Sequence, residues 1–436
     1  MSLQGKHTQE WFKRAQASLV NGVSSQFRYW SDEDTIVIER GQDGYLFDMD
    51  GKRYIDFQLG FGPIILGHGD DDVSAAVAEA AREATSFAMT QRREIEAAEK
   101  VLEALKWPDR MRFTNTGTEA TMHAIRLARG VTGRDIVVKF EGQYHGVHDY
   151  VMFSTASAAY SSLGSRSHPI PVESSTGIPD SIRTYIRTLP YNDLGLVSDL
   201  FEREGDRIAA IIVEPMLGNM FGVTPDAGFL EGLRKLADQY GSALIFDEVK
   251  TGFRIATGGA YEYFGVAPDI GTYAKAIGNG YPVAAIAATE QFVEGWRQGR
   301  VSQAGTYSGN GIASAAAKAT VTKLMTGEPL AAVEKTGRAL MEGLEKILAD
   351  KGVESRITGV PSMFSIFIGE GEMNEFRDAS RHDEELYEKI LMSMIKKGVM
   401  PCPDAKEPWF VCAAHTDEDV ATSLQAFEES LVDCLK

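Results

Sequence analysis

Cysteine is scarce: three occur, Cys402, Cys412 and Cys434, all toward the C-terminal end and without ligand-like spacing. That excludes a disulfide framework and a zinc site, and it suits a reducing, cytoplasmic setting. Positive charge is also short, with 44 basic against 62 acidic residues and a formal charge of −18. Nucleic acid and anionic membranes reward the opposite sign, so neither is expected as a main partner. No apolar run approaches the ~18 residues that a membrane span requires. The opening stretch MSLQGKHTQEWFKRAQ lacks the apolar core of a signal peptide. Internal repeats are absent as well. What remains is ordinary for a soluble globular chain, 44% hydrophobic and 24% charged. At 436 residues, two domains of unequal size are expected.

The most informative stretch is 242–282, SALIFDEVKTGFRIATGGAYEYFGVAPDIGTYAKAIGNGYP. Residues 243–246 have the short, unbroken hydrophobicity of a parallel strand covered on both faces. They deliver Asp247 and Glu248 at the carboxyl end, where open α/β sheets bind ligands. A second short run, 269–274, delivers Lys275, followed by Gly278, Asn279 and Gly280. An acid and a lysine on two strand ends suit a pyridoxal phosphate enzyme. The lysine forms an imine with the aldehyde, and the carboxylate pairs with the protonated pyridine nitrogen.

The remaining segments fit an alternating α/β chain. An amphipathic helix over 9–19 leads to NGVSSQFRYW, where Arg28 is either a surface charge packed on an aromatic or a clamp for a substrate carboxylate. Residues 35–57 form a meander with turns at Asp43-Gly44 and Asp50-Gly51. Helices are expected over 70–85 and 92–105, and strands over 110–114, 135–140, 208–214 and 283–288. After the strand at 110–114 comes NTGTEA, so that Thr116, Gly117 and Thr118 open a helix whose free amides suit an anion. The stretch EGQYHGVHD follows the next strand, and Tyr144 is placed to stack on a flat ring. Its two histidines and two acids match no metal-ligand pattern. Residues 154–181, rich in Ser, Gly and Pro, read as too polar for a core element and as a disordered segment or a lid. A helix over 226–240 with an Asp cap precedes the central stretch. Thr306 and Ser308, before an Ala-rich helix, are further candidates for anion contact. From about 324, helices over 330–350, 383–397 and 417–435 enclose strands near 356–358, 362–368 and 409–413. They form a smaller α+β lobe that the N-terminal meander completes.

With these pieces in place the chain resembles the class III, fold-type I pyridoxal phosphate aminotransferases, nearest their glutamate-1-semialdehyde aminomutase branch. The blocks that carry the resemblance include DMDGKRYIDF, RFTNTGTEA, KFEGQYHGVHD, VEPMLGNMFGVTPDAGFLEGLR, LIFDEVKTGFR, QAGTYSGN and AAHTDED, in order over nearly the full length. The resemblance implies a large domain with a mostly parallel seven-stranded sheet flanked by helices (60–323). A small α+β domain would be built from both chain ends (1–59 and 324–436). It implies that Lys275 carries pyridoxal 5'-phosphate as an internal aldimine, passing through a pyridoxamine form, and shuttles the proton. Asp247 would pair with the ring nitrogen, Val249 and Tyr144 would cover the two ring faces, and Thr116, Gly117 and Thr118 would lie at the phosphate. Thr306 would reach that phosphate from the second subunit of a homodimer. Glu214 and Asn219 would lie near the phenolic oxygen, and Ser25, Arg28, Phe61 and Glu407 would face a small-molecule substrate.

Departures fall in the pocket walls: NGVSSQFR at the N-terminal motif, Phe61 where the aminomutase has tryptophan, and Lys250 where many class III members have glutamine. The contact to the cofactor oxygen then falls to Asn219. The implied activity is an aminotransferase acting between an amino donor and a carbonyl acceptor, with the intramolecular aminomutase as the alternative.

Overall fold

Residues 2–402 and 404–436 are described by the computed structural model. Seven strands form the central sheet in the spatial order Arg110–Thr114, Ala284–Ala288, Ile270–Tyr273, Ala243–Glu248, Ile208–Val213, Ile136–Phe140 and Ile186–Leu189. All neighbours pair in parallel except at Ala284–Ala288, which runs antiparallel to both of its partners. The expected mostly parallel sheet is therefore present.

The pleat sends alternate residues of each strand to opposite faces. Val137, Ile212, Ile245 and Ile286 join one core with Ala120, Ala124 and Leu127 of the helix Gly117–Thr132. Val138, Ile211, Leu244 and Phe246 join the other core with Phe229 and Leu233 of the helix Phe229–Tyr240. Both faces being covered, the central strands Ile208–Val213 and Ala243–Glu248 are buried throughout, which is why they read as unbroken apolar runs.

The two chain ends meet outside this sheet. The meander Ile38–Gln42, Tyr45–Asp48 and Arg53–Asp56 is extended by Val399–Met400, which lies parallel to Arg53–Asp56. Three further strands, Ser355–Val360, Met363–Ile368 and Trp409–Phe410, form a separate antiparallel sheet. Among the described residues no helix is long and apolar enough to cross a membrane.

Several sequence expectations need correction. Of the two readings of 154–181, disordered or a lid, the disordered one falls, because the segment is anchored. Leu163 is fully buried, Tyr160 packs against Phe376 with ring centroids 4.9 Å apart, and Arg166 bonds both Glu375 and Asp193. Ser154 N donates to Val172 O and Ile170 N to Leu163 O, so the chain is stitched to itself. The strand Ile186–Leu189 was not anticipated. It is an edge strand, and Arg187 within it pairs with Glu204, which breaks the apolar signature. Asp226 does not cap the helix that follows; Gly228 is the cap residue, and the Asp226 amide bonds Asn192 instead. The strand placed over 409–413 ends at Phe410.

Candidate active site

The strand Ala243–Glu248 ends in two carboxylates that the pleat turns to opposite faces. Glu248 accepts from Ala260 N at 2.6 Å and from Tyr273 Oη at 3.2 Å, and burial pushes its carboxyl up to about 7. Asp247 faces the helix Gly117–Thr132 side. Its Oδ2 lies 2.7 Å from His145 Nδ1, and its Oδ1 accepts from Thr272 Oγ1 at 3.0 Å and Val249 N at 3.2 Å. A carboxylate only accepts, so His145 Nδ1 carries the hydrogen. Asp247 pairs in register with Thr272, and Lys275 follows three residues later at the end of that neighbouring strand.

Lys275 opens a short 3-10 turn, Lys275–Gly278, and holds a left-handed backbone at φ 51°. For a residue with a side chain this conformation is strained, and such strain clusters at functional sites. Burial pushes its ammonium down to about 7, helped by the nearby Lys250 and opposed by Glu407, Glu214 and Asp247. A lysine in this state has a large neutral fraction near neutrality and is therefore nucleophilic.

Tyr144 follows the strand Ile136–Phe140. Its amide donates to Glu214 Oε1 at 2.8 Å, and its phenol is raised by burial, with Glu407 and Asp247 adding to the effect. Phe27 meets the Tyr144 ring edge-on at 6.5 Å, so the segment carrying Ser25 and Arg28 lies over this part of the cleft. Arg28 itself is exposed, and Ser25 precedes its short 3-10 turn, Gln26–Arg28.

The start of the helix Gly117–Thr132 is closed by a capping box: Thr116 Oγ1 accepts from Glu119 N, and Glu119 Oε2 accepts from Thr116 N. That occupies the Thr116 hydroxyl and leaves the amides of Gly117 and Thr118 outside the cap. A Cβ on Gly117 would lie 2.9 Å from Val249 Cγ2, so glycine alone lets the helix start meet Val249. The Thr118 hydroxyl accepts from Val147 N at 3.3 Å, which ties the helix start to the Tyr144 loop.

On the other side, Glu214 Oε2 accepts from Gly218 N at 2.8 Å, and burial, with Asp247 adding, pushes its carboxyl up to about 7. Lys250 Nζ donates to Gly218 O at 2.6 Å, Asn219 Oδ1 at 2.5 Å and Glu407 Oε2 at 2.5 Å. The Asn219 oxygen being taken by an ammonium, its NH2 is the end left to face a ligand. Phe61 sits in the turn beside Gly62, which packs on Phe410.

These contacts link Asp247, Val249, Gly117, Thr118, Tyr144, Glu214, Asn219 and Glu407 in one chain of neighbours around Lys275, and Phe27 brings the segment of Ser25 and Arg28 against Tyr144. Thr306 lies apart from them. It is exposed, in a surface groove with Phe87, Met89 and Ser308, and its carbonyl accepts from Ser86 Oγ at 3.5 Å. His145 and Thr272, which frame Asp247, carry no motif of their own in the sequence. His145 stands beside Tyr144 in the crowded EGQYHGVHD stretch, and that crowding was the one available signal.

The buried acid with a hydrogen-bonded frame, the strained lysine of lowered proton affinity, and a helix start opened by glycine fit a flat, anionic aldehyde cofactor such as pyridoxal phosphate. Comparison with known proteins agrees with the type of site. The family described as "Aminotransferase class-III" matches residues 28–431. Glutamate-1-semialdehyde 2,1-aminomutase of Desulfatibacillum aliphaticivorans is 41% identical over 427 residues, 97% of this chain and 99% of that protein. An omega-transaminase from Sphaerobacter thermophilus superposes with a TM-score of 0.92 at 28% identity, covering 99% of this chain and 98% of that one. The PLP internal aldimine form of the Sphingopyxis sp. MTA144 FumI protein gives a TM-score of 0.86 at 25% identity, with 99% and 97% coverage.

Proposed function

Because the chain belongs to the class-III aminotransferase family, we propose that it moves an amino group from an amino donor to a carbonyl acceptor, with pyridoxal 5'-phosphate held at Lys275. Its fold is fold-type I. One observation carries the reading: Asp247 and Lys275 arrive on adjacent parallel strand ends, the acid framed by His145 and Thr272, the amine pushed down to about 7.

When bound, the cofactor supplies an aldehyde that exchanges amino partners and a ring that withdraws electrons from the reacting carbon. The residues of this chain divide the remaining work. Lys275 would hold the group through its amine and, as a neutral amine, would serve as the base that takes up and returns a proton. Asp247 would keep the ring nitrogen protonated, and His145 and Thr272 hold Asp247 in place. Val249 and Tyr144 would hold a flat ring between them. The amides of Gly117 and Thr118 would bind the phosphate, with Thr116 serving through its cap. Asn219 donates its NH2 toward the phenolic oxygen, and Glu214, its carboxyl held near 7, stands behind it. Ser25, Arg28, Phe61 and Glu407 line the substrate side. Thr306, exposed in its own chain, completes the phosphate site of a second copy in a homodimer. A cytoplasmic location accords with three cysteines that are all free.

The names of the curated relatives favour a second reading, the aminomutase, in which donor and acceptor are one molecule. Incubation with glutamate-1-semialdehyde alone, and separately with an amino donor plus a keto acid, separates the two. Conversion of the semialdehyde with no second substrate favours the aminomutase. Transfer that needs both partners favours the aminotransferase. Lys275→Ala is expected to lose both the absorbance of the bound cofactor near the visible edge and turnover; retained turnover removes both readings.

A further inference from the structure

Four charged groups act on the Lys275 amine: Lys250, Glu407, Glu214 and Asp247. Asp247 is committed to His145 and Thr272, and both Glu214 oxygens accept from backbone amides, those of Tyr144 and Gly218. Glu407 is the remaining carboxylate of the four, and so the one able to receive a cationic group on a substrate. Lys250 has taken it, at 2.5 Å. This is no flexible surface pair. The Lys250 side chain is 6% exposed, its stem passes beside Gly218, and two further oxygens, Gly218 O and Asn219 Oδ1, hold the same ammonium. Opening the pair would leave a charge buried without its counter-ion, which is costly.

Resting on the amino-transfer reading above, we propose that the Lys250–Glu407 pair is a specificity filter that selects substrates with a single amino group and rejects those carrying a second ammonium. The filter acts twice. Glu407 offers no net charge to a second ammonium, and Lys250 repels it, so discrimination comes from a repulsive element as well as a missing attractive one. The filter also bears on the two readings, because exchange of an amino group within one molecule passes through a doubly aminated compound.

The test compares probes that differ by one ammonium: 4-aminobutanoate with 2,4-diaminobutanoate, and butylamine with 1,4-diaminobutane. Two quantities are measured on the holoenzyme. One is the half-saturating concentration for loss of the aldehyde absorbance in a single turnover. The other is the Kd by calorimetry on enzyme already converted to the amine form, with which neither probe reacts. The wild type is expected to favour the monoamine by about tenfold or more. Lys250→Gln, which keeps an amide donor but drops the charge, narrows that ratio to about twofold or less. Glu407→Gln, which leaves Lys250 unneutralised, widens it. A purely structural role would move both variants in the same direction. Equal affinity in the wild type, or a ratio that neither variant changes, or changes of the same sign, overturns the filter while leaving amino transfer standing. A wild type that takes up no pyridoxal phosphate overturns the amino-transfer reading and the filter with it.

Discussion

His145 Nδ1 stands 2.7 Å from Asp247 Oδ2, with both side chains buried. Burial lowers the proton affinity of the imidazole and the carboxylate opposes that change. The pair fixes the rotamer of the acid where both side chains are buried. Asp247→Asn keeps the shape and loses the charge, and a loss of turnover of about 10²–10³-fold is expected. His145→Ala keeps the charge and loses the hold, with a smaller loss, about tenfold. Single-turnover rates with a fixed amino donor measure both. A larger loss in His145→Ala than in Asp247→Asn would contradict the ordering of roles.

The Lys275 ammonium, pushed down to about 7, gives the cofactor-free protein a defined pH response. An unfolded lysine titrates near 10.4, so between about 7 and 10.4 the unfolded chain binds more protons than the folded one. Stability from this group therefore rises with pH across that window and is lowest below 7. Lys139, which burial also pushes down to about 7, acts in the same direction. Urea midpoints of the cofactor-free protein from pH 7 to 10 should climb more steeply in the wild type than in Lys275→Met. Reductive alkylation of Lys275, followed by mass spectrometry, should be half-maximal near pH 7.

Gly146 packs against the helix start. Its φ is 98°, and a Cβ there would fall 2.8 Å from Thr118 Cα and 2.5 Å from Thr118 Oγ1. Gly146→Ala must push the Tyr144 loop off the helix Gly117–Thr132, because the backbone of Thr118 has no flexible end to yield. The expected outcome is weaker retention of pyridoxal phosphate, by about tenfold or more. Dialysis followed by absorbance reads the loss. Gly51→Ala, where nothing lies within 4 Å, is the strained-backbone control.

Phe87, Met89 and Tyr307 are 53%, 82% and 66% exposed around Thr306. Apolar side chains gathered in this way favour a second copy of the chain as cover. Sedimentation should give twice the chain mass, and Thr306→Ala should weaken cofactor retention without dissociating the dimer. A monomeric sedimentation coefficient in fully active protein would remove the cross-subunit role.

Legibility from sequence followed the range of the interactions. Arg92–Leu105 and Arg110–Thr114 were placed to the residue, because helical period and a short apolar run are local signals. The strand Ile186–Leu189 was missed because Arg187 interrupts its apolar pattern, and its pairing with Glu204 is a tertiary fact. The order of segment 154–181 was not legible for the same reason. Its anchors, Arg166 to Glu375 and Tyr160 to Phe376, join positions far apart in the chain, and composition carries no trace of them. Lys275 and Asp247 were legible because each sits at the end of a readable strand. The bonds of Asp247 to His145 and of Lys250 to Glu407 were not, since only folding brings those residues together.

The parallel pairing of Val399–Met400 with Arg53–Asp56 sets an order of events during synthesis. The meander leaves the ribosome early, but the strand that covers its flank is among the last segments made. At 5–20 residues per second that delay is roughly 20–70 s, during which one edge of the meander carries unsatisfied amides and carbonyls. Nascent chains halted before residue 399 should therefore be the ones that chaperones hold longest.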